Sequence, residues 1–315
     1  MPNIDKILLA TDFSTGAEGR FVYARDLARL MGAELHVLYA YVLRGERYAA
    51  GDYPESESVA RAALERLADR AEAADPGVGP VSVELAIERD LTPASAILRY
   101  ASDNDIDLIV LGTHGRRGLR RLFLGSVAEE VLRLSDCPVI TIRPECEELQ
   151  LNGNGRRSIL VPIDFSTYSA QALSYAKELA ALFGARLELL HVVEDWVHPD
   201  FYGLMPQSIY DVQPDIEEKS VAHMMEMFER TPGPNVEASA RACPGRASSE
   251  ILRIAEEHKV SLIVIGTHGL TGFEHLVMGS TTERVVRRAT VPVWTVKSLK
   301  RSRQAEKSQT EAVLS

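Results

Sequence analysis

Short apolar runs rich in branched side chains alternate along this chain with longer stretches whose apolar positions recur about every 3.6 residues. The runs fall at 7–10, 35–39, 81–86, 108–111 and 139–142, and again at 159–162, 187–192, 236–241, 262–265 and 293–296. Each run is a predicted strand and each intervening stretch a predicted helix, so both series read as five βα units on a parallel sheet. Between the first two strands of each series, the helical period stops at Gly32 and Gly184, where glycine can close a helix in the left-handed conformation.

The two series are a repeat. Asp12-Phe-Ser14 returns as Asp164-Phe-Ser166, an offset of 164 − 12 = 152, and Gly112-Thr-His-Gly115 returns as Gly266-Thr-His-Gly269, an offset of 266 − 112 = 154. The predicted organisation is a first domain over 1–144, a linker over 145–157, a second domain over 158–298 and a disordered tail over 299–315. The linker is polar and aperiodic and carries Asn152-Gly-Asn-Gly155, and the tail opens with Lys300-Arg-Ser-Arg303. The predicted fold is α/β, with two tandem doubly wound five-stranded parallel sheets.

Composition narrows the function classes. A chain of 315 residues with 45% hydrophobic and 25% charged residues has enough apolar material for two globular domains. The net charge of −10 disfavours nucleic acid as a partner, because phosphate neutralisation needs a basic face. No apolar stretch approaches the roughly 18 residues of a membrane span, and the chain reads as cytoplasmic with no membrane partner. Cys137, Cys146 and Cys243 are odd in number and lack metal-ligand spacing, so they are expected to be free thiols.

The chemistry concentrates in the glycine loops. Gly112, Gly115 and Gly118, matched by Gly266, Gly269 and Gly272, follow a buried strand and let backbone amides approach an anion. Nine residues beyond each loop, Gly125-Ser126 and Gly279-Ser280 open a predicted helix, with Ser126 and Glu129, and Ser280 and Glu283, at capping-box spacing. A helix start adds uncovered amides and partial positive charge, so loop and helix together favour a phosphate. Neither loop has the Gly-Lys-Ser/Thr ending of a P-loop, nor does it follow the first strand as a dinucleotide fingerprint would.

With strand order 3-2-1-4-5, the first and fourth strands flank the switch point where ligands bind. Asp12 and Asp164 would then face the glycine loops across a crevice and accept hydrogen bonds from a ribose hydroxyl or an amine. Ser14 and Ser166 close behind them leave a purely local role at the helix entry as the alternative.

Taken in order, Asp-Phe-Ser, Gly-Thr-His-Gly, nine residues, Gly-Ser, then Cys137-Pro-Val139 or Val291-Pro-Val293, closely resemble the universal stress protein family in its tandem form. The resemblance spans both repeats and implies an adenine nucleotide alpha hydrolase-like fold that binds ATP. Carried over residue by residue, it implies an adenine side at Ala10, Asp12 and Ala40, and at Pro162, Asp164 and Val192. It implies phosphate contacts at Gly112, Gly115, Gly125 and Ser126, and at Gly266, Gly269, Gly279 and Ser280, with the backbones of Leu111, Val127, Ile265 and Thr281 adjoining. It further implies that 139–142 pairs with 293–296, making a pseudo-dimer within one chain and leaving a homodimer open. The loop before the third helix departs from the family's pattern in both copies, at Leu91-Thr-Pro93 and Gly245-Arg-Ala247.

The resemblance points to a nucleotide-dependent regulator of stress adaptation with ATP as ligand, magnesium or manganese as candidate companion ions, and an unidentified protein partner. No catalytic constellation or protein metal-ligand set is assigned. A weak magnesium-dependent ATPase is the alternative, with His114 and His268 in the loops as its conceivable bases; a nucleotidyl transferase or flavin carrier fits the motifs less well. The repeats also differ: Arg116, Arg117, Arg120 and Arg121 in the first insert are matched by Leu270, Thr271, Glu274 and His275 in the second, which would favour phosphate at the first site if the arginines turn to it, with a solvated arginine face as the other reading. Trp196, Phe201, Tyr202 and Tyr210 are expected to pack between domains, with a ligand lid or partner surface as the other reading.

Overall fold

The computed structural model describes residues 4–14, 16–42, 57–73, 81–113, 124–144, 146, 157–194, 208–267 and 278–297. The first half runs β1 (Lys6–Thr11), α1 (Ala17–Met31), β2 (Glu34–Val42), α2 (Glu57–Ala73), β3 (Val83–Asp90), α3 (Pro93–Asp103), β4 (Leu108–Gly112), α4 (Ser126–Leu134) and β5 (Val139–Ile142). The second runs β6 (Ser158–Pro162), α5 (Thr167–Phe183), β7 (Arg186–Val193), α6 (Ile209–Val212), α7 (Ile216–Arg230), β8 (Ala238–Pro244), α8 (Ala247–Glu257), β9 (Leu262–Gly266), α9 (Ser280–Arg288) and β10 (Val293–Val296).

All ten strands form one sheet in the order β3-β2-β1-β4-β5-β10-β9-β6-β7-β8. Each half is therefore the expected parallel 3-2-1-4-5 sheet, and the halves join where β5 and β10 run antiparallel, Ile140 opposite Trp294. The Thr295 hydroxyl donates to the Val139 carbonyl at 2.9 Å across this join, and the Thr141 hydroxyl to the Val293 carbonyl at 3.4 Å.

Strand residues alternate between two cores, one on each face of the sheet. Ile7, Leu9 and Trp294 belong to the face covered by α1, α2, α5 and α7; Leu8, Ile109 and Ile263 belong to the face covered by α3, α4, α8 and α9. Burial on both faces explains why the central strands read as continuous apolar runs. α1 and α5 end where the glycines predict, at Gly32 (φ 68°) and Gly184 (φ 59°).

The third strand of each half is displaced from its sequence expectation: β3 and β8 begin two residues later than 81 and 236 and extend to Asp90 and Pro244. Both are sheet edges, and pairing on one side alone sets their limits, Leu35 to Val83 and Leu187 to Ala238. Cys137, Cys146 and Cys243 are free and half-buried, as expected, and burial pushes the Cys137 thiol up to about 11. Among the described residues no helix is long and apolar enough to cross a membrane. Apart from Cys146 and Arg157, the linker lies outside the described residues, as do the tail and Trp196, Phe201 and Tyr202. Tyr210 is described, and its hydroxyl donates to Glu217 at 3.0 Å within its own half.

Candidate functional site

The strands β1 and β6 end in matching turns. Asp12 Oδ1 accepts the Ser14 amide at 3.0 Å; Asp164 Oδ1 accepts the Ser166 amide at 3.0 Å and its hydroxyl at 2.6 Å. The residue between aspartate and serine is driven into the left-handed region, Phe13 at φ 59° and Phe165 at φ 62°, where a side chain strains the backbone. Ring contacts hold it there: Phe13 lies 4.9 Å from Tyr39, and Phe165 lies 4.7 Å from His191 and stacks on His223 at 4.4 Å. Nothing in the residue type of phenylalanine signals this turn; only its duplication between an aspartate and a serine does.

Neither aspartate is itself a helix cap. Ser166 caps α5 by accepting the Ser169 amide at 3.2 Å, with Asp164 gripping the serine from behind. In the first half α1 starts 17 − 12 = 5 residues after the aspartate, against 167 − 164 = 3 in the second, and its cap is Gly16 at φ 83° with no side-chain bond. The difference makes room for Arg20, which stands where the second half has Ala172 (20 − 12 = 172 − 164 = 8). Buried at 2% exposure, Arg20 donates from Nη2 to the Ser14 hydroxyl at 3.0 Å and lies 4.0 Å from Asp12 Oδ1. Burial lowers its pKa and Asp12 opposes the shift.

Across from these turns, β4 and β9 end at Gly112 and Gly266. The Gly125 amide donates to the Thr113 carbonyl at 2.8 Å and the Gly279 amide to the Thr267 carbonyl at 2.9 Å, which pins the starts of α4 and α9 against the ends of β4 and β9. The helices begin where predicted, but the serine capping boxes do not form: Ser126 and Ser280 are the first helical residues, and Gly125 and Gly279 occupy the cap in extended conformation. A glycine cap offers no side-chain acceptor. The first helical bonds run from the Glu129 and Glu283 amides to Gly125 and Gly279, so the amides of Ser126 and Val127, and of Ser280 and Thr281, precede any helical acceptor.

The remaining carried-over residues cluster at the same strand ends. Ala10 pairs with Leu111 across β1 and β4, with Ala40 nearby on β2; Pro162 pairs with Leu190 next to Val192, and Ile265 precedes Gly266. Gly115, Gly118, Gly269, Gly272, His114, His268 and the contrasting inserts with Arg116 and Arg121 lie outside the described residues. The loops before the third helices are capped differently, by Thr92 with Ser95 in α3 and by the Glu194 carboxylate on the Ala247 amide in α8.

The universal stress protein family model matches residues 3–143 and again residues 155–297. The chain belongs to the universal stress protein family. A relative from Mycolicibacterium smegmatis, itself described as a universal stress protein, is 25% identical over 301 residues, covering 92% of this chain and 96% of the relative. A universal stress protein from Methanocaldococcus jannaschii is 31% identical over 146 residues, 46% of this chain and 84% of its own. The crystal structure of a universal stress protein from Archaeoglobus fulgidus shares the fold at a TM-score of 0.65 and 24% identity, covering 94% of this chain and 99% of that one.

The two halves of this universal stress protein differ where their first and fourth strands end. The β1–β4 ladder reaches Ala10 and Leu111, whereas the β6–β9 ladder stops two residues earlier, at Leu160 and Ile263. The cause is Pro162. The Ile163 amide points to β7, bonding Leu190 at 2.8 Å, so residue 162 faces β9, and proline has no N–H to give it. A separate groove of about 520 Å³ between α5 and α7, lined by Gln171, His223, Met227 and Arg230, shares only the Phe165 turn with the second crevice.

Proposed function

We propose that this universal stress protein binds ATP in each half and acts as a nucleotide-dependent regulator in stress adaptation. The observation that carries the reading is the pairing, twice, of an aspartate at the end of the first strand with a glycine-capped helix start fastened to the end of the fourth. Asp12 and Asp164 offer carboxylate acceptors to a ribose hydroxyl or an adenine amine, beside Ala10 and Ala40 or Pro162 and Val192. The first-turn amides of α4 and α9, with Gly112, Gly115, Gly266 and Gly269, offer donors to the phosphates, and the helix dipole adds to them. A magnesium or manganese ion would enter on the phosphates.

Regulation follows from where α4 ends. The Lys297 ammonium, from the second half, donates to the Arg133 and Ser135 carbonyls at 2.6 and 2.7 Å and so grips the C-terminus of a helix whose N-terminus would hold ligand. Occupancy of the first crevice would thus bear on the join between halves and shift which partner-binding arrangement is populated.

Native mass spectrometry of the freshly purified full chain, with titration of ATP, tests this. Two intact ATP molecules are expected, with Gly112→Val and Gly266→Val each losing one. A wild-type chain that takes up no ATP at millimolar concentration overturns the reading, and steady release of ADP would turn it towards the ATPase.

A further inference from the structure

At the end of the sheet away from the crevices, the first half gathers three donor side chains that its nucleotide chemistry does not use. Glu34 opens β2 and His36 lies two residues on, hence on the same face; Glu84 stands directly opposite His36 in the β2–β3 ladder. Their ligand atoms lie within 4.8 Å of one another, and Tyr100 of α3 covers them. His36 is 2% exposed. Its Nδ1 meets the Tyr100 hydroxyl at 2.8 Å, and that hydroxyl donates to Glu84 Oε1 at 3.4 Å.

The Tyr100 hydroxyl thus lies between His36 Nδ1 and Glu84 and braces the imidazole on its Nδ1 side. On the other side of the ring, His36 Nε2 is buried, has no hydrogen-bond partner among the described residues and lies 3.6 Å from Glu34 Oε2. Two ligands of one tetrahedral zinc ion, each about 2.1 Å from it, stand about 3.4 Å apart. Lys6, opposite Glu34 in the ladder, spends its ammonium on the Asn104 carbonyl at 3.1 Å.

The second half shows the same position already compensated. Glu188 replaces His36 (188 − 36 = 152) and Arg186 replaces Glu34, and Glu188 receives Arg186 at 3.0 Å and His258 at 2.5 Å. There the protein supplies the cations; in the first half no lysine or arginine among the described residues pairs with Glu34 or Glu84.

We propose that Glu34, His36 and Glu84 form a binding site for a divalent transition metal of the zinc class, with Tyr100 bracing the imidazole. Two carboxylates neutralise the ion, imidazole suits its softness, and the half-exposed glutamates leave a position open to water.

The test is titration of the chelator-stripped full chain with zinc chloride, without nucleotide, so that its outcome is independent of ATP binding. One equivalent is expected at micromolar affinity, lost in His36→Gln and weakened about tenfold or more in Glu34→Gln and Glu84→Gln. The two glutamate variants alter partly exposed side chains and carry the test if the histidine variant misfolds. Failure of the wild type to take up one equivalent overturns the site, as does undiminished binding by both glutamate variants.

Discussion

The guanidinium of Arg20 lies directly against the α-carbon of Gly112, so that a Cβ at residue 112 would sit 3.1 Å from Arg20 Cζ. In the second half the matching glycine meets something harder. A Cβ at Gly266 would lie 3.1 Å from the carbonyl carbon and oxygen of Tyr168, which belong to backbone at the start of α5. A side chain can shift where a helix start cannot. Gly266→Ala is therefore expected to cost about 2–3 kcal/mol and Gly112→Ala about 1 kcal/mol, the range of an overpacked core. Urea unfolding of the two variants checks this, and equal costs would sink it.

The same contact predicts a coupling. With Arg20→Ala, the Ser14 hydroxyl and Asp12 lose their cation, and the single change should destabilise by about 1–3 kcal/mol. In that background Gly112→Ala gains the vacated space, so the double variant should be more stable than the sum of the two singles by about 1 kcal/mol. Additive costs would show that the arginine does not crowd the glycine.

Much of this architecture is readable from the chain, and the failures have physical causes. β5 and β10 fall where their apolar runs do because both faces are buried, whereas the edge strands β3 and β8 slip because one-sided pairing leaves their pattern diluted. The helix starts at Ser126 and Ser280 follow from Gly-Ser, but which residue caps them depends on a bond to Thr113 or Thr267 that spacing cannot reveal. Arg20 belongs to no motif of the repeat, and its burial beside Asp12 depends on a turn that spacing cannot reveal. The cluster of Glu34, His36 and Glu84 joins strands 84 − 36 = 48 residues apart, so no local motif announces it.

Acid should act on the second half through Glu188. Burial raises its pKa, but hydrogen bonds from His258, Ser158 and Arg186 outweigh this and hold the carboxyl below the usual range. A depressed carboxylate contributes stability above its unfolded pKa, about 4.3, that is lost as pH falls through the folded value. Glu188→Gln should thus cost about 1–3 kcal/mol at neutral pH, the gap to wild type closing below about pH 4. Thermal melts across that range check it; a gap that persisted into acid would point to packing instead.

The join between halves rests on Trp294. Its ring is fully buried opposite Ile140, and its Nε1 has no hydrogen-bond partner among the described residues. Trp294→Phe gives up apolar area but also removes a buried unsatisfied donor, so the two effects offset and the change should stay within about 1 kcal/mol. Trp294→Ala leaves a cavity at the only ladder between the halves among the described residues, and should cost about 3–5 kcal/mol. Because the lost contacts lie at the junction, calorimetry should resolve two transitions in Trp294→Ala where wild type shows one. Leu27→Ala, in the first half's own core, makes a cavity away from that junction and serves as the control. A single cooperative transition in Trp294→Ala would mean that the rest of the β5–β10 ladder, with the threonine hydroxyls across it, couples the halves without the tryptophan.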